Sequence, residues 1–245
     1  MQYFLDTVDT IPAGCGFRHY GNVHITWLAV FLVTVVVNCL WYRRLGHRGK
    51  NIWNKTVAAM LVANELFKMM ILFIGGNYTW DYLPLHLCSI NIFLIALHAW
   101  KPSDNLGNFL YTICIPGTLA ALLFPTWTSL PVLNGMHLHS FTVHILLALY
   151  PIVLTVSGRI RPSVKKLPKC MSILLLMAIP IFGLNLLLDT NFMFLMRADE
   201  GNPLYWFEQN WGSHLLGFPV IIAAVLIVMY LPLELLRKRK KSGTM

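Results

Sequence analysis

Charged side chains are scarce in this chain: Asp, Glu, Lys and Arg together supply 12% of its 245 residues, whereas hydrophobic residues supply 57%. The mean hydropathy is +0.62. A soluble domain of this length needs a far more charged surface, so the composition excludes one. The chain is therefore predicted to be a polytopic helical membrane protein. Its ionisable residues at membrane depth are where a function is to be sought.

Cysteine patterns and nucleotide-binding motifs are also lacking. Four of the five cysteines (Cys39, Cys88, Cys114 and Cys170) lie in or beside apolar stretches, and only Cys15 is clearly outside them. No CxxC pair and no Cys/His zinc spacing occurs. The sequence contains no GxGxxG, P-loop or GxSxG motif either. We therefore predict neither a bound metal nor a cofactor.

Long apolar stretches dominate what is present, each close to the ~20 residues that cross a hydrocarbon core. They predict an all-α fold with seven transmembrane helices. The predicted spans are Val23–Trp41, Ile52–Ile74, Leu83–Trp100, Leu106–Phe124, Met136–Val156, Pro168–Leu188 and Ser213–Leu236. Pro116 with Gly117, and Pro180 with Gly183, are expected to kink the fourth and sixth of these spans.

Basic residues cluster in alternate connections: after the first span, between the fifth and sixth, and after the seventh. Short basic connections stay cytoplasmic. The pattern therefore predicts residues 1–22 outside, a membrane domain over 23–236, and a cytoplasmic tail over 237–245. The net charge of +9 is then a topology signal, not a nucleic-acid footprint. We expect a multi-pass protein of the cell membrane whose partners are membrane phospholipids; the oligomeric state is left open.

Polar residues concentrate towards the predicted outer face. Six of the nine histidines fall there, and they are His24, His86, His137, His139, His144 and His214. Asp189 and Asn191 follow the sixth span on the same side. The opposite half is expected to hold little beyond Asn38 and Glu234. This one-sided distribution predicts a pocket that opens to the outer face.

Glu65 and Lys68 lie within the second predicted span, where a lone charge would cost about 2.5–3.5 kcal/mol on insertion scales. Their three-residue spacing places them on one helix face. They are either a structural ion pair that fixes helix register or a pair that charges the pocket.

His86 and His144 are the two histidines predicted to lie deepest. Histidine transfers protons near neutral pH, so general acid/base work is the functional interpretation. For His24, His137 or His214 taken singly, an exposed location at the headgroup boundary is the favoured explanation. Cys88 is either a small buried apolar residue or a nucleophile that His144 activates across the bundle.

Three segments carry a resemblance to a known group: residues 83–89 (LPLHLCS), 139–152 (HSFTVHILLALYPI) and 189–195 (DTNFMFL). Together they resemble the YwaF family of bacterial integral membrane proteins, over nearly the whole chain. That family also shows a Glu/Lys pair in its second span. After Leu195 the chain departs from the family, with residues 196–200 (MRADE) in place of a lysine-proline pair.

YwaF-like proteins are similar to an animal membrane phospholipid acyltransferase that works through a Cys and a His. The resemblance implies that His144 is the catalytic histidine. Strict alignment places Leu85 at the cysteine position, with Cys88 one turn away. The candidate catalytic set is therefore His144, Cys88 and His86. The polar residues of the predicted outer half supply the candidate substrate-binding set, which is Lys68, Glu65, His139, Asp189 and Asn191.

The sequence thus predicts a lipid-modifying membrane protein, with acyl transfer between phospholipids as the favoured chemistry. A transporter or proton-coupled carrier, in which Glu65, Lys68 and the histidines form a relay, is the main alternative. A seven-helix sensor is the third.

Overall fold

The computed structural model describes residues 3–198 and 202–242, with side chains described as far as Leu235. Over these residues the fold is all-helical, and no strand is present. Seven segments are long and apolar enough to cross a membrane. The predicted fold class and number of spans are therefore confirmed. The direction in which the bundle crosses the membrane stays a prediction.

Nine α-helices make up the described part of the chain. They are α1 (Asn22–Arg44), α2 (His47–Ile74), α3 (Leu87–Trp100), α4 (Asp104–Phe109), α5 (Ile115–Leu123), α6 (Gly135–Val156), α7 (Leu167–Leu188), α8 (Pro203–Trp211) and α9 (Gly217–Ser242). A π-helical turn, Leu110–Cys114, joins α4 to α5, so that these form one span. Short 3-10 turns lie at Trp80–Tyr82, Val164–Lys166, Phe192–Phe194 and His214–Leu216.

Helix α6 is the centre of the bundle. It packs against α1, α2, α3 and α5, and its apolar side chains join both larger hydrophobic clusters. Helices α1, α7 and α9 instead expose most of their apolar surface, including Leu32, Leu176 and Val228. Such surfaces are stable only against lipid. The peripheral helices therefore face the bilayer and the central ones position the polar residues.

The third span begins differently from the prediction. Its α-helix starts at Leu87, four residues after the predicted Leu83, and His86 is its extended N-cap residue with φ −63° and ψ 149°. Pro84 disfavours helical backbone in the residue before it, which pushes the helix start towards the C-terminus. His86 consequently lies outside the helix and is free to face a neighbouring connection.

The fourth span changes its helical geometry just before Pro116. A proline cannot donate the usual backbone hydrogen bond, and a π-helical turn accommodates the lost bond. The hydroxyl of Thr118 donates to the carbonyl of Cys114 at 2.7 Å and satisfies one backbone acceptor of this region. The predicted distortion at this proline thus takes the form of a π turn.

Helix α8 was not predicted from the sequence. It lies between the sixth and seventh spans and exposes Trp206 and Trp211, as a helix in a membrane interface does. The amino-terminal segment is tied to the same end of the bundle. Gly135 N–H donates to the Phe4 carbonyl at 2.9 Å, and Phe17 N–H donates to the Thr128 carbonyl at 2.8 Å.

Candidate functional site: a histidine and lysine cluster

Two names describe the two ends of the bundle. The histidine end is the end where α6 begins at Gly135, and the basic end is the end where α6 finishes at Val156, before Arg159 and Arg161. Three helix regions meet near the histidine end: α2, the start of α3 and the first half of α6. The candidate site is built from side chains of these three regions.

Glu65 and Lys68 form a buried ion pair on α2. Lys68 Nζ lies 2.5 Å from Glu65 Oε1, and the two residues are 7% and 6% exposed. The ammonium also donates to the Tyr82 carbonyl at 3.2 Å. Because an ammonium has three protons, one remains for another acceptor. The pairing proposed from the sequence exists, and it leaves Lys68 able to contact a third group.

His144 is oriented by its own helix and by a tryptophan. Its Nδ1 lies 2.6 Å from the Ser140 carbonyl. A carbonyl only accepts, so Nδ1 carries the proton of the neutral ring and Nε2 keeps a lone pair. Trp127 stacks on the ring with centroids 5.2 Å apart. Trp127 is itself 8% exposed, because it packs on this histidine.

His139 faces α2 and adopts the same tautomer. Its Nδ1 lies 2.7 Å from Asn64 Oδ1, and the Asn64 amide nitrogen donates to Thr142 Oγ1 at 2.6 Å. Asn64 therefore accepts, His139 Nδ1 donates, and His139 Nε2 keeps a lone pair. Asn64 was not predicted from the sequence. Its position next to Glu65 within a span was the one feature that could have indicated it.

His86 has the opposite arrangement. The backbone N–H of Met193 donates to His86 Nδ1 at 3.4 Å, so the proton of the neutral ring lies on Nε2. Phe192 and Phe194 pack against the ring at 5.4 and 5.9 Å between centroids. His86 therefore holds the connection after α7 against the start of α3 and presents an N–H donor.

Electrostatic interactions join these groups into one cluster. His86 interacts with Lys68 and with His144, and His139 interacts with the same two residues. None of the three rings makes a hydrogen bond through Nε2 to another residue in the described parts of the chain. The cluster therefore combines two unpaired bases, one unpaired donor and a cation.

His24 and His137, by contrast, use both ring nitrogens. His24 Nε2 donates to the Leu122 carbonyl at 2.7 Å, and its Nδ1 accepts from Tyr20 N–H at 2.9 Å. His137 Nδ1 donates to the Leu130 carbonyl at 3.2 Å, and its Nε2 accepts from the Trp27 indole at 3.0 Å. Both are fully buried within the protein, so neither is exposed as an interfacial histidine would be. Their roles are structural.

Cys88 is half-buried in the first turn of α3, where it packs against the larger apolar cluster. Its thiol interacts electrostatically with Cys114, whose own sulfur donates to the Leu147 carbonyl at 3.4 Å. These neighbours are apolar or weakly polar. The role of Cys88 as a nucleophile stays a prediction.

Asp189 and Asn191 belong to the turn that follows α7. Asp189 is the exposed C-cap residue of that helix, with φ +52°. The Asn191 amide holds the turn together: its oxygen accepts from Met196 and Arg197 N–H at 3.1 and 3.2 Å. Asn185, at the end of α7, anchors the same turn. Contact of Asp189 or Asn191 with a substrate stays a prediction, and two residues of the 196–200 departure, Asp199 and Glu200, lie outside the described residues.

The half near the basic end is more polar than expected. Asn54, His98, Asn108 and Thr112 are all buried there, and Asn38 is half-buried. His98 Nδ1 lies 2.9 Å from the Tyr150 hydroxyl, and Tyr42 donates to Asn54 Oδ1 at 3.2 Å. The prediction that this half holds few polar residues beyond Asn38 and Glu234 was therefore wrong. Across the described residues, no group of three or more His, Cys, Asp or Glu is arranged to hold a metal ion.

The all-helical bundle with buried ionisable groups defines a multi-pass membrane protein. The chain belongs to the TMEM164 family, which matches residues 19–230. Comparison with curated proteins and with solved structures found no match. The match confirms that the chain belongs to a family of membrane proteins. The resemblance to the YwaF family and to an acyltransferase stays a prediction.

Proposed function

We propose that this protein transfers fatty acyl chains between membrane phospholipids, with the histidine and lysine cluster as its active site. The observation that carries the proposal is the set of unpaired Nε2 atoms on His86, His139 and His144 beside Lys68. Proton transfer and stabilisation of an oxyanion are the two tasks of acyl transfer, and this cluster has groups for both. The resemblance of the three sequence segments points to the same chemistry.

In direct transfer, His144 Nε2 removes the proton from a hydroxyl of the acceptor lipid. The acceptor oxygen then forms a bond to the acyl carbonyl carbon of the donor lipid. The tetrahedral intermediate collapses by breaking the bond to the donor oxygen, and protonated His144 returns the proton to that oxygen. One ester and one alcohol are consumed and one of each is formed, so the step needs no further reactant.

Charge develops on the carbonyl oxygen during this reaction. The third ammonium proton of Lys68 and the Nε2–H of His86 are the donors available to it. Fixed donors in a site that excludes water stabilise an oxyanion far more than water does. Glu65 keeps Lys68 in place and balances its charge in the absence of substrate.

A covalent route through Cys88 is the alternative within the same function. His144 would take the thiol proton, and the sulfur would bond to the acyl carbon as the bond to the donor oxygen breaks and that oxygen takes the proton. The acceptor hydroxyl, deprotonated by His144, would then bond to the acyl carbon, and the carbon–sulfur bond would break with return of the proton to the sulfur. The packing of Cys88 against apolar residues and near Cys114 supports direct transfer over this route.

Proton-coupled transport is a second candidate function, favoured by buried polar groups that continue beyond the cluster. Asn91 on α3 is 1% exposed, and its Oδ1 has no hydrogen-bond partner among the described residues. His98 and Tyr150 follow towards the basic end. A relay needs such groups along its length. A transporter would move a solute or protons across sealed vesicles without changing lipid composition.

The test uses purified full-length protein in vesicles that contain a phospholipid with a labelled acyl chain and an unlabelled lysophospholipid acceptor. Mass spectrometry follows the label, and a pH-sensitive dye inside the vesicles follows proton movement. We expect His144→Ala to slow transfer by about 10²–10⁴-fold, the usual cost of losing a general base. His47→Ala is the matched control, because His47 is exposed at the start of α2.

Three outcomes discriminate the mechanisms. Full activity of Cys88→Ser supports direct transfer, whereas loss of a trappable acyl-thioester supports the covalent route. No label transfer with any donor, together with proton movement that depends on His144, would replace the acyltransferase proposal by transport.

A further inference from the structure

A polar cavity lies at the basic end of the bundle, on the far side from the histidine cluster. Its volume is about 90 Å³, and residues from α2, α3, the α3–α4 connection, α4 and the segment after α6 line it. A water needs only about 10–15 Å³ of such space, so the cavity holds several waters or one compact oxyanion. It is too small for a whole lipid or nucleotide. Fifteen residues along α6 and beyond separate Arg159 from His144, or about 20 Å of helix.

Two buried side chains line the cavity with polar atoms that lack partners in the described parts of the chain. Asn54 is 3% exposed, and its Oδ1 accepts from Tyr42, which leaves both N–H groups of its Nδ2 unused. His98 is 5% exposed, and its Nδ1 pairs with the Tyr150 hydroxyl, which leaves Nε2 unpaired. The Asn54 nitrogen is a donor, and the His98 nitrogen donates or accepts according to its tautomer, so both are available to a ligand or water in the cavity.

Arginines supply the charge of the cavity. Arg159 and Arg161 both line it, and Arg159 interacts electrostatically with His98. Arg161 uses its Nε on the Gly158 carbonyl at 3.3 Å, so its terminal nitrogens remain available. One carboxylate, Asp104, also lines the cavity, but Lys166 neutralises it across 3.2 Å. The net charge of the lining is therefore positive.

We propose that this cavity binds a phosphate group, which either an anionic lipid headgroup or a soluble phosphate compound supplies. A guanidinium matches the geometry of phosphate through paired hydrogen bonds. The amide of Asn54 and the hydroxyl of Ser103, which also lines the cavity, add neutral donors. The site shares no residue with the histidine cluster, so the proposal holds whether or not the protein transfers acyl chains.

The test uses the full-length protein in nanodiscs of neutral phosphatidylcholine. One series replaces part of this lipid by phosphatidic acid, whose headgroup is a phosphomonoester. The other series adds inorganic phosphate, with sodium chloride of equal ionic strength as its reference. A ligand that binds only the folded state raises the unfolding temperature with its concentration. The thermal midpoint therefore reports binding in both series.

The variant Arg159→Gln with Arg161→Gln removes the proposed ligands at two exposed positions, so it is expected to fold. The matched control is Lys165→Gln with Lys169→Gln. It removes the same charge from exposed positions of the same end, outside the cavity lining. We expect the arginine variant to bind at least about tenfold more weakly, as for the loss of charge-assisted hydrogen bonds. The lysine variant should bind like the wild type.

A glycine pair gives an uncharged version of the test. A Cβ atom at Gly107, on α4, would lie 3.1 Å from Ile160 Cγ1 and 3.4 Å from His98 Nε2, so Gly107→Ala narrows the cavity. Gly117→Ala on α5 meets nothing within 4 Å and serves as its control. We expect Gly107→Ala to weaken phosphate binding and Gly117→Ala to leave it unchanged.

The response of the wild type identifies the source of the phosphate. Stabilisation by phosphatidic acid alone assigns a lipid headgroup, and stabilisation by inorganic phosphate in neutral discs assigns a soluble compound. The proposal is overturned by the absence of any response in both series. It is equally overturned by a loss of response that is the same in the arginine and lysine variants, since that reports general attraction to a basic surface.

Discussion

At the scale of single residues, hydrogen bonding divides the four histidines of α1 and α6 into two groups. His24 and His137 spend both ring nitrogens on backbone or indole partners, whereas His139 and His144 each keep an unpaired Nε2. A ring whose two nitrogens are both hydrogen-bonded is called saturated here, and it has no nitrogen left for a substrate. Among these four histidines, the saturation of the ring, more than its depth in the membrane, therefore separates structural from candidate catalytic residues.

Replacement of His137 should accordingly affect stability rather than chemistry. His137→Ala leaves the Trp27 indole N–H and the Leu130 carbonyl without their partner, a cost of about 1–3 kcal/mol for each buried group. We expect a lower thermal midpoint in detergent and unchanged transfer per folded molecule. His144→Ala should show the reverse pattern. A loss of specific activity in His137→Ala at full stability would contradict the division.

The buried ion pair of α2 gives a second prediction. Glu65→Gln leaves Lys68 buried without its counter-charge and should cost about 3–5 kcal/mol, as for other broken buried pairs. The double variant Glu65→Gln with Lys68→Met should recover much of the folded protein, measured by size-exclusion chromatography after extraction. A double variant no better than the worse single one would show that the pair does not stabilise the fold. Both variants should lack transfer activity, because the proposed oxyanion donor is lost or displaced.

At the scale of elements, the turn after α7 is the part that completes the site. Asn185 holds it through three hydrogen bonds: its Oδ1 accepts from Thr190 Oγ1 and Phe192 N–H at 2.9 and 2.8 Å, and its Nδ2 donates to the Phe192 carbonyl at 3.0 Å. This turn then orients the His86 ring through the hydrogen bond from Met193 N–H. Asn185 therefore positions a group of the site from a distance.

Asn185→Ala should release this turn. We expect a lower thermal midpoint and a fall in kcat without a matching rise in KM, because His86 loses its orientation while the lipid-contacting surface remains. Asn210→Ala is the control, since Asn210 is exposed on α8 and bonds only to its own helix. Unchanged kcat in the Asn185 variant would remove His86 from the proposed mechanism.

At the scale of the whole molecule, the two ends of the bundle carry different chemistry. Lys and Arg dominate one end, and the histidine cluster with the amino-terminal segment occupies the other. The distribution of basic residues predicts that the basic end faces the cytoplasm. The proposed active site would then draw on the outer leaflet, and the proposed phosphate site on the inner one.

Cysteine labelling tests this orientation. Asp9→Cys at the histidine end and Lys101→Cys at the basic end place thiols at exposed positions. Replacing Cys15, the one native cysteine outside the spans, by serine lowers the background. We expect an impermeant maleimide to label position 9 in intact cells and position 101 only after permeabilisation. The reverse pattern would invert the assignment of both sites to leaflets. Positions 2 and 243, near the two ends of the chain, are alternative labelling positions, and both lie outside the described residues.

The sequence by itself determined the membrane class, the seven spans and the pairing of Glu65 with Lys68. These follow from local properties: the length of an apolar stretch and the three-residue spacing on one helix face do not depend on distant parts of the chain. It also singled out His86, His139 and His144. Two of the three segments that resemble the YwaF family contain these histidines: residues 83–89 contain His86, and residues 139–152 contain His139 and His144.

Only the tertiary structure decided which histidines remain chemically free. The partners that occupy them come from far along the chain, as when Leu122 binds His24 and Asn64 binds His139. The late start of α3, which frees His86 to meet Met193, and the contact of Trp127 with His144 are likewise products of packing between segments. Hydrogen-bond saturation is a property of the assembled bundle, so no spacing within one span can reveal it.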